Sequence, residues 1–162
     1  MIIAVSGTPG VGKTSFSKRL AFTLDAEYVN ISEYITQHNI PHEQDSQRDC
    51  LVIDIQTIQD SLQSYCDSQK SYVLDSHLTT DFSPHFVDII FVCTCDISVL
   101  RNRLEERSYS AEKVRENLDA EIFQVSLTDA QENGFTPILV DCTTEISDEK
   151  IKEYAKKIQK KE

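Results

Sequence analysis

The stretch that decides the fold is Met1-Ile2-Ile3-Ala4-Val5-Ser6-Gly7-Thr8-Pro9-Gly10-Val11-Gly12-Lys13-Thr14-Ser15. Its first six residues form an apolar, β-branched run of the kind that makes a buried strand. They carry no basic flank and lead straight into a glycine-rich turn, so they do not read as a secretory leader. Gly7, Gly12, Lys13 and Thr14 then satisfy G-x-x-x-x-G-K-[ST] without a gap. Glycines, Gly10 among them, let such a loop curl until successive N–H groups face inward. The helix that follows adds the positive end of its dipole. The pattern therefore reads as a nucleoside triphosphate site. Lys13 would reach the β and γ phosphates, Thr14 would ligate Mg²⁺, and Ser15 would touch the α phosphate. The spacing alone occurs in unrelated chains. The apolar strand before it and the helical spacing of Phe16, Leu20 and Leu24 after it make it specific.

Working outward, apolar periodicity predicts alternating strands and helices. Tyr28–Ile31 reads as a second strand, followed by a short helix with Ser32 as N-cap and Glu33 in its first turn. The polar, aperiodic stretch 38–50, with Pro41, reads as a loop. Ile55, Ile58, Leu62 and Tyr65 mark a helix within 54–69. Ser71–Asp75 and Val87–Cys93 read as strands, and Ile97–Arg107 as a helix facing inward through Leu100 and Leu104. A break at Ser108-Tyr109-Ser110 precedes one long helix, Ala111–Asn133, closed by Gly134. A strand at Pro137–Val140 and a helix at Asp148–Lys160 complete the chain. This alternation implies an α/β fold: a phosphate-loop NTPase with a parallel five-stranded sheet between two helical layers. With no repeat or linker, residues 1–162 read as a single domain.

Composition narrows the function classes. At 162 residues, 40% apolar and 27% charged, the chain is an ordinary soluble domain. No run approaches the roughly 18 apolar residues that span a bilayer, so no membrane role is expected. Five cysteines without a C-x-x-C pair point to reduced thiols inside a cell. Net charge is −11 although lysines crowd the last thirteen residues. So acidic a body repels nucleic acid and suits a basic protein partner; solubility alone explains it equally well.

Three further features concern chemistry. Asp75 ends the run Tyr72-Val73-Leu74 at the sheet's carboxyl edge, where a second metal-positioning acid belongs; the alternative is a strand-end turn residue. His77, two residues on, would share its direction if the strand persisted and would orient a water, or is an ordinary loop histidine. Arg103 and Arg107 stand four apart on one helix face before the break. They suit a lid that brings positive charge to a transferred phosphoryl group, or a solvated face paired with Glu105, Glu106 and Glu112. The chain has no guanine-reading Asn-Lys-x-Asp, and Asp75-Ser76-His77-Leu78 lacks the glycine of a GTPase switch. A small-molecule or nucleotide kinase remains.

The segments Gly7–Thr14, Asp75-Ser76-His77, Arg103-Leu104-Glu105-Glu106-Arg107-Ser108-Tyr109 and Asn117–Val125 (NLDAEIFQV) resemble the adenylate kinase isoenzyme 6 family, nucleotide kinases also described as ribosome-assembly ATPases. The resemblance covers nearly the whole chain. It implies ATP and Mg as ligands, AMP as acceptor, ATPase activity, and a role in small-subunit assembly with a basic ribosomal protein as partner. It also implies a cytoplasmic location, and a nuclear one as well in a eukaryote. By position it implies that Gly10, Gly12, Lys13, Thr14 and Ser15 contact ATP. It makes residues 30–53 the monophosphate region and 106–116 the lid, Arg107 the lid arginine, and Asp75 with His77 a metal and water site. Ser108 stands where the family usually has glycine, Ser15 where it has threonine, and 38–50 keeps only Asp45 and Asp49 of an acid-and-tyrosine cluster.

Overall fold

The computed structural model describes residues 1–45 and 50–159. Strands β1 (Ile2–Ser6), β2 (Glu27–Asn30), β5 (Tyr72–Asp75), β6 (Ile89–Thr94) and β7 (Ile138–Asp141) form a parallel sheet in the order β2-β5-β1-β6-β7. The register sets Val5 beside Asp75, and Asp75 beside Asn30. All strands therefore end on one edge, and β1 delivers Gly7–Gly12 to the middle of it. A separate antiparallel ribbon, β3 (Glu43–Asp45) with β4 (Cys50–Val52), occupies part of the stretch expected as a loop. Asp49 and the rest of 46–49 lie outside the described residues.

Both faces of the sheet are covered, so its strands are apolar at successive positions and do not alternate with polar ones. Ile3, Val5, Val73, Phe91 and Cys93 face one core with α1 (Lys13–Leu24), α4 (Ile97–Glu106), α5 (Ala111–Ile122) and α7 (Asp148–Gln159). Ala4, Tyr72, Leu74, Ile90 and Val92 face the other with α2 (Ile31–Gln37), α3 (Ile55–Tyr65) and α6 (Val125–Glu132). Edge-to-face contacts of Phe16, Phe91 and Tyr154, at 5.3 to 5.7 Å between centroids, join α1 and α7 to β6. This is the expected α/β phosphate-loop architecture. Cys93, Cys95 and Cys142 are buried in it as small apolar side chains.

Two local expectations fail. The N-cap of α2 is Asn30, whose side chain accepts from the Glu33 N–H at 3.1 Å, so β2 passes into the helix two residues before Ser32. The long helix 111–133 is two helices, broken where Gln124 adopts a left-handed φ of 51°. The reason is tertiary: Val114 and Leu118 of α5 pack on one face of the sheet, while Leu127 and Ala130 of α6 pack on the other. One straight rod cannot serve both.

Candidate active site

The phosphate loop is shaped by contacts that only glycine permits. A Cβ on Gly7 would lie 2.4 Å from the Cys93 carbonyl, and Gly12 takes a φ of 120° with Cys142 3.1 Å from where its Cβ would be. Gly12 is the N-cap of α1, so Lys13, Thr14 and Ser15 form that helix's first turn, with unpaired N–H groups directed into the loop. The Lys13 ammonium donates to the carbonyls of Gly7 at 2.7 Å and Thr8 at 3.0 Å. Burial lowers its pKa, and the negative charge of Asp75 works against that shift.

Asp75 is where the sequence put a metal-positioning acid. It is only 4% exposed, and its Oδ2 accepts the Thr14 hydroxyl at 2.7 Å and the Tyr28 hydroxyl at 2.8 Å. A carboxylate oxygen against a hydroxyl at the mouth of a phosphate loop is a hard-oxygen donor set. It fits Mg²⁺, which takes one or two protein oxygens and completes its shell with phosphate and water. Tyr28 has no sequence signal: only the placing of β2 beside β5 brings it to Asp75. Burial, ahead of the nearby Asp75, raises its phenol pKa to about 12.

His77 reaches the site by another route than expected. The strand stops at Asp75, and Ser76 caps a 3₁₀ turn, His77–Asp81, by accepting the Leu78 N–H at 3.1 Å. His77 nevertheless lines the same cleft as Lys13, Thr14 and Asp75. Crowding by protein, and then the charge of Lys13, lower its pKa, so the ring is neutral at pH 7.

The two arginines separate. Arg103 lies against the back of the loop and donates to the carbonyls of Val11 at 2.8 Å, Cys142 at 3.0 Å and Thr143 at 3.1 Å. Its charge is spent on these carbonyls, so it is a structural clamp and neither of the expected alternatives. Arg107 is the C-cap of α4, exposed, and makes no side-chain hydrogen bond or ion pair among the described residues. Ser108 beside it holds a left-handed φ of 58°, the conformation the expected glycine takes at lower cost.

Two cavities meet at this point. One, of about 310 Å³, runs over Gly12–Ser15, Asn30, Ser32, Asp75 and His77. The other, of about 330 Å³, lies between Arg19, Cys142 and residues 144–146. Gly10, Gly12, Ser15 and Arg107 line both. A polyphosphate threaded along the loop would pass beneath Arg107 from one into the other.

Comparison with known proteins gives the family of the chain. A family model described as "AAA domain" matches residues 3–124. A "Putative adenylate kinase" of Thermococcus kodakarensis is 36% identical over 162 residues, covering 99% of this chain and 86% of that one. An "Adenylate kinase isoenzyme 6 homolog" of Dictyostelium discoideum is 31% identical over 139 residues, covering 86% of this chain and 79% of that one. The chain belongs to the adenylate kinase isoenzyme 6 family. Its fold is shared with phosphate-loop kinases. Shikimate kinase of Bacteroides thetaiotaomicron superposes with a TM-score of 0.63 over 99% of this chain and 96% of that one, at 13% identity. A gluconokinase of Sinorhizobium meliloti gives 0.55 over 98% and 95%, at 14% identity.

One residue that the sequence left without a role acquires one. Glu121, quoted only as part of the family's Asn117–Val125 segment, reaches back to the loop and accepts the Thr8 hydroxyl at 2.7 Å. Among the described residues, no helix is long and apolar enough to cross a membrane.

Proposed function

We propose that the chain is a nucleoside-monophosphate kinase that transfers the γ-phosphoryl group of ATP to AMP. The observation that carries this reading is the meeting of two cavities at Gly10, Gly12, Ser15 and Arg107, which leaves room for a donor and an acceptor on either side of one phosphate path. ATP would lay its triphosphate along Gly10–Ser15, with Lys13 on the β and γ phosphates. A bound Mg²⁺ held by Thr14 and Asp75 would neutralise phosphate charge. Arg107, without a side-chain partner among the described residues, would be available if residues 106–116 close as a lid over the equatorial oxygens; one such donor is worth about 10²–10³ in rate. The acceptor phosphate oxygen forms a bond to the γ phosphorus as the bond to the β,γ-bridging oxygen breaks, and ADP leaves. Both reacting groups are already oxyanions, so no proton need move.

A second reading is supported by His77. It has no task in transfer to AMP, yet its neutral ring lines the cleft with Asp75 and can accept a hydrogen bond from an attacking water. We infer ATP hydrolysis as a further activity, with an acidic surface suited to a basic small-subunit ribosomal protein and no direct nucleic-acid contact. ADP formation from ATP alone and from ATP plus AMP, for wild type and His77→Ala, tests both. If AMP does not accelerate ADP formation, the kinase reading fails, and unchanged hydrolysis in His77→Ala sinks the water-orienting role.

A further inference from the structure

We propose that Glu121 is a positioning residue for phosphoryl transfer, holding the phosphate loop in place from the helix that follows the lid; this rests on the kinase reading above. Both of its carboxylate oxygens are engaged. Oε2 accepts the Thr8 hydroxyl at 2.7 Å, and Oε1 accepts the Cys95 N–H, just past the end of β6, at 2.9 Å. Thr8 is 3% exposed, so its hydroxyl needs an internal partner, and a carboxylate is a stronger acceptor than a carbonyl. The Thr8 carbonyl in turn receives the Lys13 ammonium at 3.0 Å. Glu121, Thr8 and Lys13 therefore form one chain of contacts from α5 to the group that meets the phosphates.

Two other residues of the NLDAEIFQV segment bear on this contact. Leu118 is buried in the core and fixes α5 against the sheet. Gln124, in its left-handed conformation, ends α5 just beyond Glu121. The same carboxylate pins the strand that limits the loop from behind, because the Cys93 carbonyl of β6 is what excludes a side chain at Gly7. Electrostatics argues that the role is positional. A carboxylate near a polyphosphate repels it, so an acid here must contribute something other than charge. The tether begins five residues after the lid ends at 116, so loop and lid share one anchor.

The test is a double-mutant cycle. Glu121→Gln keeps the side-chain shape but offers one acceptor oxygen to two donors. Thr8→Val removes the hydroxyl at nearly constant volume, and Thr8→Ser restores it. Steady-state kinetics with ATP and AMP are measured well below each variant's melting temperature, with the folded fraction determined by circular dichroism. Glu121→Gln and Thr8→Val are each expected to lower kcat about tenfold while KM for ATP changes less than about twofold, because small displacements of a positioned group cost rate more than binding. The double variant should be no slower than the slower single one, since both remove one contact. Thr8→Ser should recover most of kcat. A kcat within twofold of wild type in Glu121→Gln, additive losses, no recovery in Thr8→Ser, or losses that follow the folded fraction would each overturn the proposal. A wild type that shows no AMP-dependent turnover defeats the kinase reading instead, and the same cycle is then read on ATP hydrolysis.

Discussion

Arg103→Met and Arg107→Met, one helical turn apart, should fail in opposite ways. Methionine keeps much of the apolar stem and removes the guanidinium. At Arg103 that strips donors from three carbonyls, of Val11, Cys142 and Thr143. Val11 is fully buried and Cys142 nearly so. Hydrogen bonds from a charged donor contribute about 1.5–3 kcal/mol each, and a buried acceptor left unpaired costs about 1–3 kcal/mol. Arg103 borders a cavity, so water will reach some of the freed oxygens. One or two bonds effectively lost amount to about 3–5 kcal/mol, which for a chain of this size lowers the melting temperature by roughly 10–15 °C. At Arg107 the guanidinium has no hydrogen-bond or ion-pair partner among the described residues, so the melting temperature should move by less than about 2 °C. Turnover should fall about 10²–10³-fold if this side chain meets the transferred phosphoryl group. Thermal unfolding by circular dichroism and coupled ADP release measure the two effects separately. An Arg103→Met protein that melts within about 3 °C of wild type, or an Arg107→Met protein that loses stability and keeps its turnover, would refute this division of labour.

Two further outcomes follow from the cleft. Tyr28→Phe removes one of the two donors on Asp75 Oδ2 and leaves the Thr14 contact, so titration of turnover against Mg²⁺ should show a changed half-saturation with the melting temperature lowered by only a few degrees. The depressed pKa of His77 means that the unfolded chain takes up this proton first. Its contribution is neutral above the unfolded value of 6.5, and stability is lost as pH falls below it. Urea midpoints between pH 7.5 and 5 should fall less steeply in His77→Gln than in wild type. Parallel slopes would show that the ring is not held neutral.

What the sequence makes legible is what depends on neighbours along the chain. The apolar run Ile2–Ser6, the glycine spacing and the period of α1 are local patterns, and they place the phosphate loop, the parallel sheet and Asp75 at its carboxyl edge. The split of residues 111–133 was hidden because Ile122-Phe123-Gln124 contains no glycine or proline. The bend comes from two cores on opposite faces, which no window of sequence contains. Tyr28 was silent for a related reason: its hydroxyl meets Asp75 only because β2 and β5, more than forty residues apart, pair side by side.

Arg103 and Arg107 show where periodicity stops informing. Spacing of four correctly sets both on one side of α4, and it says nothing of what lies opposite each. The stretch Leu100–Leu104 of α4 runs beside the loop's underside, where Gly10 packs against both leucines and the Val11 carbonyl accepts from Arg103. One turn on, the helix has passed the loop and its C-cap overhangs the cleft. The same residue type is thus consumed by backbone carbonyls at one position and left without a side-chain partner among the described residues at the next. The deciding quantity is the number of unpaired acceptors within reach of each guanidinium: three carbonyls for Arg103, and none among the described residues for Arg107. A cation without a partner among the described residues, at the rim of a phosphate loop and on a turn already strained at Ser108, has no structural work there to explain it, which is the physical ground for proposing that it meets the substrate.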